Sequence, residues 1–170
     1  MARQPGEVIE KGTESAAIIA TLAERGYQIA VAESLTGGLL IAELIATPGA
    51  SAVVVGGVVA YNSELKARVL NVDTGALAEH GAVHPDVAAQ MATGVRAALA
   101  LASGPPRVGI STTGVAGPDP QDGASVGTVY LGFAIGGDVS VKRLSLSGSR
   151  QAIREAAVSE SLAELARLLG

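Results

Sequence analysis

Short β-branched runs alternate along this chain with stretches of helical periodicity, and the alternation closes on two strand-like runs separated only by Gly136-Gly137-Asp138. The apolar runs lie at residues 28–31, 52–61, 108–111, 127–135 and 139–146. The run 52–61, with Val53, Val54, Val55, Val58 and Val59, reads as a buried strand. Its central Gly56-Gly57 either is plain packing or marks the close approach of another backbone. Between the runs, Ile18, Ile19, Leu22 and Ala23 place a helix in residues 8–25, stopped by Gly26. Leu39 to Ile45 carry a second helix, and Asn62-Ser63 open a third over 62–70. A short helix covers 74–79. Pro85 opens a longer one with the stripe Val87, Met91, Val95, Leu99 and Ala102. Ile153, Ala157, Leu162, Leu165 and Leu169 define the last helix, after Ser147-Gly148-Ser149. Helices alternating with buried strands require a sheet covered on both faces, and a connection as short as 136–138 makes a β-hairpin. The expected fold is therefore one domain over residues 1–170, with 1–6 frayed. It is a three-layer α/β/α sandwich whose mixed sheet has about five strands, at least one antiparallel.

Composition narrows what such a domain can do. With no Trp and 2% aromatic residues, the core must be built from Ala, Val, Leu and Ile, which lets helices sit close to a sheet. The net charge of -4 and the lack of any Lys/Arg block leave no basic stripe, so direct nucleic-acid binding is not expected. The absence of cysteine removes disulfides, thiolate catalysis and sulfur-ligated zinc. Residues 1–12 hold no signal-peptide core, and no apolar run reaches the roughly 20 residues of a membrane span. A cytoplasmic protein without a membrane partner is the expectation.

Features that can carry chemistry follow three of the strands, where ligands collect in α/β sheets. The first is Ala32-Glu33-Ser34-Leu35-Thr36-Gly37-Gly38, a hydroxyl- and glycine-rich turn between strand and helix. Its backbone N–H groups and helix N-terminus suit an anion or an oxyanion; equally, Ser34 or Thr36 could be an ordinary N-cap. The second is the segment from Tyr61 to Lys66, and the third is the loop 112–118, with Thr113, Gly114 and Gly117. A serine nucleophile needs a base. His80 and His84 flank a surface turn and read as solvated residues. Lys66, near a helix start, can serve if burial keeps it neutral, though a surface lysine has the same sequence. Tyr61 either orients this pair, stacks on a flat ligand, or ends a strand in water. Arg150 and Arg154, one turn apart at the start of the last helix, make either a phosphate site or a solvated basic face. Asp119, Asp122 and Asp138 are explained by turn chemistry, and no cluster of carboxylates and histidines points to a metal.

Taken in order, Ala32-Glu33-Ser34-Leu35-Thr36-Gly37-Gly38, Pro48-Gly49-Ala50-Ser51, Gly57-Val58-Val59-Ala60-Tyr61-Asn62, Lys66, Gly81-Ala82-Val83, Thr113-Gly114-Val115-Ala116-Gly117-Pro118, Gly127-Thr128-Val129 and Gly148-Ser149-Arg150 resemble the CinA C-terminal domain family. Each motif is weak alone, but the ordered set spans residues 8–168. The resemblance implies a stand-alone amidase of the PncC type, which hydrolyses the carboxamide of nicotinamide mononucleotide to nicotinic acid mononucleotide and ammonia. It implies Ser34 as nucleophile and Lys66 as its base, with Tyr61 and Thr113 lining the site and no cofactor or metal. An oxyanion would be held by N–H groups near Thr36, Gly37 and Gly38 or in the loop 113–117. Arg150, with Arg154, would hold the phosphate. A homodimer or higher assembly is also implied. Departures from the family pattern are Leu35, frequently cysteine; His84, frequently serine; Ser149, usually aspartate; and Pro120-Gln121-Asp122. The alternative is a non-catalytic nucleotide-sensing or partner-binding domain, since such sequences are associated with competence and DNA-damage responses.

Overall fold

The computed structural model describes residues 12–170. The frayed start expected at 1–6 and the first part of the helix expected from residue 8 lie outside them. Six α-helices and five strands follow: α1 (Thr13–Glu24), β1 (Ile29–Glu33), α2 (Leu39–Ile45), β2 (Val54–Val59), α3 (Ser63–Leu70), α4 (Thr74–His80), α5 (Pro85–Ala98), β3 (Val108–Gly114), β4 (Thr128–Ile135), β5 (Asp138–Ser145) and α6 (Arg150–Leu169), with one turn of 3-10 helix at Ala50–Ala52. The five strands form one sheet in the order β2-β1-β3-β4-β5. The first three are parallel, and β4 and β5 add antiparallel through the hairpin at Gly136-Gly137.

Side-chain alternation sorts the sheet into two unlike faces. Ile29, Val31, Val108, Ile110, Val129, Leu131 and Phe133 enter a large core with α1, α2 and α6. The opposite face presents Ala30 and Ala32 to Leu70, Val87, Met91 and Val95 of α3 and α5. Gly109, Ser111 and Gly132 continue that flat strip, and α5 sits directly on it: a Cβ at Gly109 would meet the Ala92 carbonyl oxygen at 2.0 Å. Ser111 donates to the Ala88 carbonyl at 2.7 Å. The dearth of aromatics thus has a structural use, because only small residues let a helix backbone approach this closely. A Gly132→Ala substitution would drive its methyl to 2.2 Å from the Ala88 carbonyl oxygen, backbone that cannot rotate away. The expected cost is about 1–3 kcal/mol, read as a lower urea midpoint. An unchanged midpoint would mean that α5 can lift without loss.

Several expectations from the sequence are corrected. Strand 52–61 is not buried: β2 is an edge strand, its residues partly or fully exposed, with Val59 46% accessible. Its valines report β propensity, not enclosure. Ile41 of α2 packs against Gly57, whose Cβ would meet its Cδ1 at 2.7 Å. The stripe of α5 runs to Leu99, the C-cap, which still packs against the core of Val87, Met91 and Val95, but Ala102 lies exposed in the turn beyond. Strands β1 and β3 run further than the apolar runs did, to Glu33 and Gly114. The added Thr112 and Thr113 are β-branched and pair with Leu131 and Tyr130, so the hydroxyl-rich stretch is strand, not loop.

Topology places a crevice. After β1 the chain crosses to α2 on one face, and after β2 it crosses to α3 and α5 on the other. Between the carboxyl ends of those adjacent parallel strands the chain parts, the usual position of a ligand site in such sheets.

Candidate active site

Alternation along β1 decides where two consecutive polar side chains go. Glu33 shares the face of Ile29 and Val31, toward α2, and Ser34 turns toward α3. The carboxylate of Glu33, 1% accessible, accepts the N–H groups of Gly38 (2.9 Å) and Leu40 (3.1 Å) on Oε2 and of Ile41 (2.9 Å) on Oε1. It therefore fills the N-terminus of α2 from inside the protein. Gly37 and Gly38, at φ +59° and +101°, carry the chain through left-handed geometry that favours glycine. From the other side Arg154 of α6 donates from Nε to the Leu35 carbonyl (2.8 Å) and from Nη2 to that of Thr36 (3.0 Å). Thr36 and Thr112 share a hydrogen bond between hydroxyls at 2.8 Å, and the Ser34 N–H donates to the Thr112 carbonyl at 3.0 Å. The turn bearing Ser34 is thus fixed from three directions.

Lys66 reaches the same point from α3, whose first turn is capped by Asn62 Oδ1 accepting from the Glu64 N–H at 2.8 Å. The lysine is 1% accessible. Its Nζ donates to the Ala60 carbonyl at 2.7 Å and lies 3.2 Å from Ser34 Oγ. The Ala60 N–H in turn donates to the Glu33 carbonyl at 2.9 Å, tying the ends of the two strands together. Burial brings the Lys66 amine down from 10.5 to about 8, and the carboxylate of Asp122 pulls the other way. A neutral amine keeps an N–H on Ala60 and turns its lone pair to the serine hydroxyl.

The same burial has a consequence for stability. Between about pH 8 and pH 10.5 the unfolded chain holds the Lys66 proton that the native protein has lost, so native stability rises with pH across that window. Relative to a Lys66→Met variant, in which other titrations cancel, the wild type gains up to about 3 kcal/mol from the lower to the upper end. Urea unfolding of both proteins at the two ends measures it. A difference that does not move would mean the amine is not desolvated.

The pair sits in a cleft of about 430 Å³ that Tyr61, Thr113, Gly114, Gly117 and Arg150 also line, together with Ala82, Val83, Asp119 and Gln121. Thr113, buried, donates its hydroxyl to the Ala82 carbonyl at 2.7 Å and so holds the opposite wall. Arg150 bridges the mouth, donating from Nη1 to the Gly117 carbonyl and from Nη2 to the Tyr61 hydroxyl at 3.0 Å. Tyr61 is 61% accessible and bonded to that arginine, so it does not orient the Ser34–Lys66 pair. Its side chain lines the cleft.

Four residues expected in the site are elsewhere. Thr36, Gly37 and Gly38 lie beneath the cleft, not on its wall. Of their N–H groups, that of Gly38 is taken by Glu33 and that of Gly37 by the Ser34 carbonyl. The helix N-terminus that the sequence offered to an external anion is thus already occupied. In the turn 34–38, only the N–H groups of Leu35 and Thr36 have no acceptor among the described residues. Arg154 spends Nε, Nη1 and Nη2 on Leu35, Gln151 and Thr36, which makes it a clamp on the turn and not a ligand of the cleft. Sequence reading missed Glu33, whose signal was a carboxylate inside an apolar strand, and Asp122. Asp122 Oδ2 accepts the Ala82 N–H at 2.9 Å.

The model of the CinA C-terminal domain matches residues 12–169. The chain belongs to the CinA C-terminal domain family. Solved members of the superfamily share the whole fold. The competence-damaged protein (CinA) superfamily protein of Enterobacter cloacae is 31% identical at TM-score 0.89, covering 100% of this chain and 98% of that one. The competence or damage-inducible protein of Enterobacter asburiae is 30% identical at TM-score 0.88, covering 96% and 100%. Among curated relatives, a CinA-like protein of Frankia casuarinae is 46% identical over 153 residues, 89% of this chain and 34% of that protein. The chain spans about a third of the length of the curated relatives it matches. Among the described residues no helix is long and apolar enough to cross a membrane.

Proposed function

We propose that this member of the family is an amidase that hydrolyses the carboxamide of nicotinamide mononucleotide by Ser–Lys acyl transfer. The observation that carries the reading is the 3.2 Å approach of a buried, largely desolvated Lys66 amine to Ser34 Oγ inside an open cleft. Lys66 takes the Ser34 proton as Oγ bonds to the carboxamide carbon, and the carbonyl oxygen becomes an oxyanion. The N–H group of Leu35, which lines the cleft next to the nucleophile and has no acceptor among the described residues, is the donor assigned to it. Collapse breaks the C–N bond, and the Lys66 ammonium gives its proton to the leaving nitrogen as ammonia departs. Water then attacks the acyl-serine with Lys66 as base, releasing the carboxylate and restoring both residues. Tyr61 covers the pyridine ring and Arg150 holds the phosphate, exchanging its bond to Tyr61 for charged ones.

Ammonia release from nicotinamide mononucleotide, nicotinamide riboside and glutamine tests this. The mononucleotide is expected to turn over fastest. Arg150→Ala is expected to raise its KM at least about tenfold while leaving the riboside nearly unaffected. Binding of the mononucleotide without ammonia release would favour a nucleotide-sensing domain instead, and faster turnover of another amide would redirect the substrate assignment.

A further inference from the structure

We propose that His80, His84 and Asp86 form a binding site for one divalent transition-metal ion of the zinc, nickel or copper class, on the outer side of the cleft wall. This site is independent of the amidase reading. His80 is the last residue of α4, and His84 caps α5 two residues before Asp86. The connection of residues 81–83 folds the two imidazoles onto each other, with ring centroids 4.2 Å apart and planes 16° from parallel. One ligand atom from each of the three side chains lies within 4.8 Å of the others. His84 Nδ1 and Asp86 Oδ2 are 3.7 Å apart.

Ligand bonds of about 2.0–2.2 Å in tetrahedral geometry put donor atoms roughly 3.3 Å from one another. Stacked rings cannot both aim a lone pair at one ion, so binding swings the exposed His80 imidazole out of the stack about χ1 and χ2 while the donors close by roughly 1 Å. Little holds the donors back. Besides Asp86, the Glu79 carboxylate lies 4.0 Å from His80, and the Asp86 N–H reaches His84 Nδ1 over a long 3.3 Å bond. Two neutral imidazoles and a carboxylate select borderline transition metals over magnesium or calcium, which prefer all-oxygen shells. Glu79 or water completes the shell.

The position gives the site a consequence. A bound ion staples the end of α4 to the start of α5 across a turn whose Ala82 and Val83 line the cleft. That turn is already tied to Asp122 through the Ala82 N–H and to Thr113 through the Ala82 carbonyl. Occupancy therefore raises the thermal midpoint of the protein.

The test uses tag-free, chelator-treated full chain titrated with zinc chloride by calorimetry and by competition with a chromophoric chelator. One saturable equivalent is expected, not displaced by magnesium. His80→Ala and His84→Ser are each expected to weaken it at least about tenfold and to remove the zinc-dependent rise in thermal midpoint. Serine is itself a strong N-cap, so His84→Ser keeps the start of α5, and its circular dichroism and midpoint in chelator should equal those of wild type. Absence of saturable zinc binding by the wild type, or binding equally tight in the His80→Ala/His84→Ser double variant, overturns the proposal.

Discussion

Replacing Ser34 with alanine is expected to reduce ammonia release by at least about 10⁴-fold, with the fold and its stability nearly intact. Ser34 Oγ is in contact with Lys66 Nζ but carries no structural bond of its own, since the turn is held by backbone and by Glu33, Thr112 and Arg154. Its loss therefore removes a reacting atom without removing a support. Lys66→Met should lower turnover about as far, because nucleophile and base act as one unit and their separate losses do not add. Wild-type kcat/KM should rise with pH on a single ionisation near 8, where the amine becomes neutral, and then level off. Ser34→Ala protein that keeps wild-type turnover would remove the acyl-serine from the mechanism. A pH profile flat through that range would remove the neutral lysine.

The cleft was legible in the sequence as a set of strand endings, and less so as a set of contacts. Ser34, Lys66 and Thr113 were grouped because each follows an expected strand closely, and Arg150 was singled out at the start of the last helix; all four line the cleft. Their convergence could be inferred from α/β topology. What failed was any inference that depended on which partner takes a hydrogen bond. Gly37-Gly38 at a helix start looks the same whether its N–H groups await a substrate or face an internal carboxylate; Glu33 decides it, and its side is set by one step of strand alternation. Arg150 and Arg154 lie on one helix four residues apart, yet one meets the mouth of the cleft and the other the carbonyls beneath it. Asp122 belongs with Ala82, forty residues away, and no local pattern announces such a pairing. The buried reading of β2 failed for a related reason. A valine run fits an edge as well as an interior, and the strand order that separates them is non-local.

Glu33→Ala is expected to cost about 3–5 kcal/mol, the largest effect on stability of any single side chain near the site. The side chain is buried, and removing it strands the N–H groups of Gly38, Leu40 and Ile41 at the end of a helix whose dipole also favours the charge. Glu33→Gln should fall between. With its oxygen in the place of Oε2 it can still accept from Gly38 and Leu40, while its amide opposes the Ile41 N–H, for a cost of about 2 kcal/mol. A domain of ordinary stability, roughly 5–15 kcal/mol, survives the glutamine and is left with a thin margin by the alanine. The glutamine variant is therefore the one to assay. It retains Ser34 and Lys66, but it loosens the turn that aims Ser34. Its kcat should drop about 10²-fold with KM little changed, the signature of a misplaced nucleophile and not of a weakened pocket. Urea midpoints within about 1 kcal/mol of wild type for the alanine variant would show that water satisfies the helix end. A glutamine variant with full kcat would show that Lys66, Thr112 and Arg154 hold the serine without help from the carboxylate below it.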